Sequence, residues 1–184
     1  MPSDATQTPP GDLSAAEQAA VSAAIARLRN EAGALLPILH AIQEAIGYVP
    51  PAAVEPIALA LNLSRAEVHG VRTFYHDFRS APPGAHVLKI CRAEACQAVG
   101  CRDLEVHAAR ALGLSGAGVG GSQDAVHGTT ADRGVTVEPV YCLGNCALGP
   151  SIQLDGKLYG KVTAGRLDGL LAKCGVKPSR GGAS

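Results

Sequence analysis

"VLKICRAEAC" (87–96) and "PVYCLGNCALGP" (139–150) are two apolar runs that finish alike, each in a pair of cysteines. Four residues separate Cys91 from Cys96, and three separate Cys142 from Cys146. Read as strands, the runs deliver their thiols to the loops that leave them. A right-handed crossover makes such strands parallel neighbours, so both loops leave one end of the sheet. Four thiolates then converge on a point at the strands' carboxyl ends.

The flanking sequence supports that sheet. "HVLKI" (86–90) and "GVTVEPVY" (134–141) read as strands, and "SIQLDGKLYG" (151–160) as a hairpin around Asp155-Gly156, a type I′ turn pair. Helical segments are expected over about 98–112 and at "AGRLDGLLAKC" (164–174). The order β-α-β-β-β-α gives an open mixed sheet with helices packed on it, a thioredoxin-like layout.

Upstream of "RSAPPGAH" (79–86), which reads as a linker, the period is helical. Ser14 with Glu17 forms a capping box before "AAEQAAVSAAIARLRN" (15–30). Leu35, Leu39, Ile42 and Ile46 share a face of a second helix, stopped by Gly47 and then Pro50 and Pro51. Pro51 opens a third helix to about Leu61, because a first-turn proline has no N–H to lose. Ser64 with Glu67 caps a fourth, running to about Phe78. The fold class expected is therefore α+β. A tail (1–12) precedes a four-helix unit (13–80), followed by a thioredoxin-like domain (84–175) and a second tail (176–184).

Composition narrows the function. The 184 residues are 47% hydrophobic and 17% charged, the balance of a globular chain. Lys plus Arg equals Asp plus Glu at 16 each, so no global field recruits nucleic acid or an anionic membrane. "MPSDATQTPPGDLS" (1–14) lacks a basic region followed by an apolar core, and no apolar run reaches the roughly 18 residues of a membrane span. A cytoplasmic location is expected, where paired cysteines usually mean metal rather than disulfide.

Neither cysteine pair has the two-residue gap of a zinc knuckle, and the chain contains no C-x-x-C for thiol–disulfide exchange. A two-iron cluster, in which each iron takes two thiolates, suits the wider loops best, with zinc as the alternative. Cys101 and Cys174 are left over. Cys101 allows a second register in "CRAEACQAVGC" (91–101), but it should already sit in the helix and face its packing. Cys174 reads as a small buried apolar residue.

"ICRAEAC" and "VYCLGNCALGP", preceded by "LLPILHAIQEAIGYVP", "LNLSRAEVHGV" and "TFYHDFR", resemble the thioredoxin-like 2Fe–2S ferredoxin subunits of NADH dehydrogenase modules. The resemblance spans about residues 15–175. Within that family "CRAEAC" looks most like the gamma subunit of soluble, molybdenum-containing, NAD-dependent formate dehydrogenases. It implies that Cys91, Cys96, Cys142 and Cys146 bind one 2Fe–2S cluster, as a non-catalytic electron-transfer subunit. It also implies a flavoprotein partner carrying FMN and the NAD site, with the molybdenum cofactor likewise on partner subunits. The equivalent subunit of a respiratory NADH–quinone oxidoreductase or an NAD-reducing hydrogenase is the alternative.

Other features point elsewhere. Gly116, Gly118 and Gly121 spell G-x-G-x-x-G, but the stretch follows a helix and runs into "SQDAVHGTTADRG" (122–134) instead of opening a helix, so a connector is the better reading. "IALALNLSRAEVHGVRTF" (57–74) resembles a helix-turn-helix, which would suit an iron–sulfur-sensing DNA-binding regulator. Against it, Arg65, Arg72 and Arg79 face Glu67 and Asp77, a weak phosphate footprint. His69 and His76 lie seven apart on one expected helical face without a third ligand. His40, His86, His107 and His127 show no constellation, and no catalytic residues emerge.

Overall fold

The computed structural model describes residues 12–114 and 126–176, which fall into two compact units divided between Pro82 and Pro83. Residues 1–11, 115–125 and 177–184, which include most of the glycine-rich stretch (113–123) and of both tails, lie outside the described residues.

In the first unit both capping boxes form. The Ser14 hydroxyl accepts the Glu17 N–H, Glu17 accepts the Ser14 N–H, and helix α1 (Ala15–Leu28) follows. α2 (Leu35–Ile46) buries Ile38, Leu39 and Ile42, while Leu35 and Ile46 are only half-buried; Gly47 ends it at φ 85°. Pro51 opens a 3-10 turn, Pro51–Ala53, that leads into α3 (Val54–Leu61). Ser64 and Glu67 cap α4 (Arg65–Phe74). One core joins these helices, centred on Ile38, Leu39, Ile42, Ile57 and Val68.

α4 stops at Phe74, short of the expected Phe78. Its last turn is poor in helix formers, and the Thr73 hydroxyl bonds back to the His69 and Gly70 carbonyls. Phe78 then turns inward, edge-on to His40 and Tyr75, and is buried. His76 therefore lies past the helix end, and the shared face expected for it with His69 does not exist.

The second unit is a five-stranded sheet in the order β2-β3-β1-β4-β5. These are β1 (His86–Cys91), β2 (Gly128–Thr129), β3 (Val135–Val140), β4 (Ile152–Leu154) and β5 (Lys157–Tyr159). β1 and β3 are parallel and pair His86 with Val135 through Cys91 with Val140; the other pairings are antiparallel. Leu88 and Ile90 of β1 point into the core, and Lys89, between them, meets Glu138 across the strands at 3.7 Å on the other face. Asp155 and Gly156 turn the β4–β5 hairpin at φ 49° and 81°, as a type I′ pair does.

Two details differ from the expected order. The edge strand β2 lies in a polar stretch that reads as loop, and only its pairing with β3 makes it a strand. The helix expected over about 98–112 is α6 (Cys101–Ala111), and a short, unexpected helix, α5 (Glu94–Gln97), precedes it across Gly100 at φ 93°. α6 and α7 (Ala164–Lys173) add Leu104, Ala108, Leu167 and Leu171 to the core, and His107 joins them through Asp168 at 2.7 Å.

Candidate metal centre

Because β1 and β3 run in parallel with Cys91 opposite Val140, their chains leave the sheet side by side. Cys91 is the last residue of β1, and Cys96 follows in the short helix α5. From β3 the chain passes through Tyr141, Cys142 and Gly144 to Cys146, which opens a 3-10 turn (Cys146–Leu148) that contacts α5. Gly149–Pro150, a cis peptide, and Ser151 return the chain to β4, beside β1. The fold thus brings all four expected cysteines to one end of the sheet.

The two pairs differ in surroundings. Cys91 and Cys96 are buried and pack with Ala93, Val140 and Leu143, whereas Cys142 and Cys146 are exposed. Burial pushes the Cys96 thiol above its ordinary pKa, outweighing the Ser151 N–H that donates to its sulfur; Cys91 and Cys146 push it the same way as neighbours. The Gly144 N–H donates to the Cys142 sulfur at 3.3 Å, and Gly144 reaches that pose at φ 72°. The sequence offers N–H donors from 143–145 and from 92–95. Gly144 supplies one, but the Arg92 N–H goes to the Val140 carbonyl. Ser151, which sequence reading missed, arrives only because β4 pairs with β1.

The donor set suits two metal ions better than one. A tetrahedral zinc site, with sulfurs at about 2.3 Å from the ion, sets them about 3.8 Å apart. Among the described residues, no three of these four thiols lie within 4.8 Å of one another. A cluster that divides its ligands into two pairs tolerates that spread, and N–H donors to sulfur are what such clusters use.

The sequence profile of the thioredoxin-like [2Fe-2S] ferredoxins matches residues 21–175. The chain belongs to that family. Its cofactor is accordingly a 2Fe–2S cluster. One NADH-quinone oxidoreductase subunit of Escherichia coli (strain K12) is 29% identical over 167 residues, covering 91% of this chain and 95% of that one. A subunit of the same kind from Rhizobium meliloti (strain 1021) is 31% identical over 151 residues, 82% of this chain and 84% of the relative. Among solved structures, an NAD+-reducing [NiFe]-hydrogenase in the H2-reduced state shares the fold with a TM-score of 0.59. That match is 23% identical and covers 77% of this chain and 22% of the hydrogenase chain.

The spare thiols take different places. Cys101 is the first residue of α6 and fully buried beside Cys91 and Cys96. A helix N-terminus usually lowers a thiol pKa. Here burial wins, aided by Glu105 and the two neighbouring cysteines, and pushes it up to about 11. Cys174 caps α7 at the far end of the sheet, half-buried. Next to Cys91, Arg92 forms a buried ion pair with Glu105 at 2.9 Å. Burial raises the Glu105 pKa, with Arg92 and Arg102 opposing.

The helix-turn-helix reading relies on three arginines, two of which make contacts within the helical unit. Arg72 is buried and donates to the Val49 carbonyl and the Ser80 hydroxyl, and Arg79 donates to the Gly47 carbonyl. Two of the three arginines in its footprint thus serve the fold of the helical unit. No helix among the described residues is long and apolar enough to cross a membrane.

Proposed function

We propose that Cys91, Cys96, Cys142 and Cys146 hold the cluster, and that the chain is the electron-transfer subunit of an NAD-dependent oxidoreductase, docked beside a cytoplasmic flavoprotein that carries FMN and the NAD site. The observation that carries this is the parallel pairing of β1 with β3, from which both cysteine loops leave at one end of the sheet. When bound, a 2Fe–2S cluster takes up and returns single electrons, whereas hydride chemistry moves two and belongs to a flavin.

The chain's own residues shape that site. Burial of Cys91 and Cys96 keeps water from one side, and the Ser151 and Gly144 N–H groups favour negative charge on the sulfurs. Exposed Tyr141, Val99 and Leu148 lie close in sequence to the cysteines and offer an apolar rim for a partner surface.

For the assembly, the "CRAEAC" motif favours a soluble formate dehydrogenase with molybdenum on another subunit. The relatives from Escherichia coli and Rhizobium meliloti favour a respiratory NADH–quinone oxidoreductase instead. The native complex purified through this chain separates them. Molybdenum with formate-dependent NAD+ reduction supports the first, and NADH–quinone activity without molybdenum the second.

The cluster itself is tested on the isolated chain. It should be brown, with two irons and two acid-labile sulfides per chain, and dithionite should elicit one spin-half EPR signal. Serine at any of the four cysteines should lose or shift that signal, because an alkoxide is a harder ligand than a thiolate. Serine at Cys101 should leave it alone. Bleaching by Cys101→Ser but not by Cys91→Ser would make Cys96 and Cys101 the true pair.

A further inference from the structure

At the opposite end of β1 the structure assembles a second set of metal-capable side chains. His86 is the first residue of β1, Asp155 the first of the β4–β5 turn, and Cys174 the cap of α7. A ligand atom from each lies within 4.8 Å of the other two, the one such trio among the described residues. His86 Nδ1 stands 2.7 Å from Asp155 Oδ2, with the two side chains 28% and 44% exposed.

His86 and Asp155 form an ion pair, and Cys174, half-buried against the core of the sheet, holds its sulfur within ligand reach of both. Asp155 is also held in place: its second oxygen accepts the Val87 N–H at 2.9 Å, and its own N–H bonds the Val87 carbonyl. A fixed carboxylate with a backbone donor on its free oxygen is how proteins orient a metal ligand.

We propose that His86, Asp155 and Cys174 bind one zinc-class divalent ion. The ion takes the place of the proton shared by His86 Nδ1 and Asp155 Oδ2, Cys174 Sγ loses its proton and becomes the third ligand as thiolate, both protons pass to solvent, and water completes a tetrahedron. Imidazole, carboxylate and thiolate are the zinc donor types, whereas calcium and magnesium call for oxygen alone. The imidazole and carboxylate open slightly to admit the ion and the thiol closes in, movements that side-chain rotation supplies.

Five strand steps at about 3.3 Å put this site about 17 Å along β1 from Cys91, so it shares no ligand with the cluster. The ion's work is structural: it ties the end of α7 and the hairpin to the start of β1.

The test uses the full-length, iron-loaded chain, titrated with Zn2+ against a chromophoric competitor while iron and the visible spectrum are followed. One Zn2+ per chain should bind with the iron unchanged. His86→Ala and Cys174→Ala should each weaken binding at least about 100-fold and leave the iron in place. Co2+ should give a thiolate-to-cobalt absorption that Cys174→Ala abolishes. Cys174 lies half-buried at a helix end, so that variant remains informative if His86→Ala loosens β1. Binding equal in wild type and both variants, no binding in the wild type, or uptake only as iron leaves would each overturn the site. Because iron is read separately, failure here leaves the cluster reading standing.

Discussion

Gly144 and Gly160 are both glycine, for different reasons. Gly144 sits at φ 72° with open space where a Cβ would be, so its requirement is conformational. Gly144→Ala should cost about 1–2 kcal/mol in denaturant unfolding, the penalty of the left-handed region. By shifting the N–H on Cys142 it should also move the cluster's potential in a redox titration. A Cβ at Gly160 would lie 2.8 Å from the Leu148 carbonyl and 2.7 Å from Asn145 Nδ2, inside the cysteine loop. Gly160→Ala should therefore destabilise by about 1–3 kcal/mol, since backbone must move. Beside Cys91, Glu105→Gln breaks the buried ion pair with Arg92 and should cost about 3–5 kcal/mol. Replacing both, Arg92→Met with Glu105→Leu, should recover much of that loss in the same measurement. The cysteine pairs were legible because each ends an apolar run. His86 and Asp155 were not, because they are 69 positions apart and meet only through the pairing of β1 with β4.

At the level of elements, local chemistry read well where it was self-contained. Both Ser-x-x-Glu boxes start helices, and Asp155-Gly156 turns a hairpin. It read poorly where a neighbour decides: β2 exists by virtue of β3, and α4 ends where Phe78 finds the core. The boxes also carry a pH signature. Hydrogen bonds from Ser14, first from its side chain, and from the Tyr48 hydroxyl hold the Glu17 carboxyl below its ordinary value. The Ser64 N–H, followed by its hydroxyl, does the same for Glu67. A depressed folded pKa gives stability that is complete above the unfolded value, about 4.3, and is lost as pH falls through the folded one. The acid limb of helical-unit stability should flatten in the Glu17→Gln/Glu67→Gln variant. Urea midpoints between about pH 6 and 3 check this, and an unchanged limb would assign the acid loss to other carboxylates.

For the whole molecule, the change of period near residue 80 marked two bodies, and each has a core that shares no residue with the other. A fragment beginning at Ala81 keeps the whole sheet, its two packed helices and the core between them, so it should fold and retain two irons. The helical unit contributes no candidate ligand, yet it exposes Leu59, Phe74 and Tyr75, with Phe74 74% exposed and edge-on to Tyr75. Large aromatics left in solvent at such exposure suit a partner surface, where a few buried anchors carry most of the affinity. With Arg72 and Arg79 committed to internal carbonyls, that partner is better matched by a protein than by a phosphate backbone. The fragment should accordingly keep its spectrum but fail to co-purify with the flavoprotein. Phe74→Ser in the full chain should weaken co-purification at least about tenfold with an unchanged melting temperature. Full affinity in the fragment would move the interface to the rim of Tyr141, Val99 and Leu148. A sequence-dependent DNA shift lost on Arg65→Ala would instead assign the helical unit to nucleic acid.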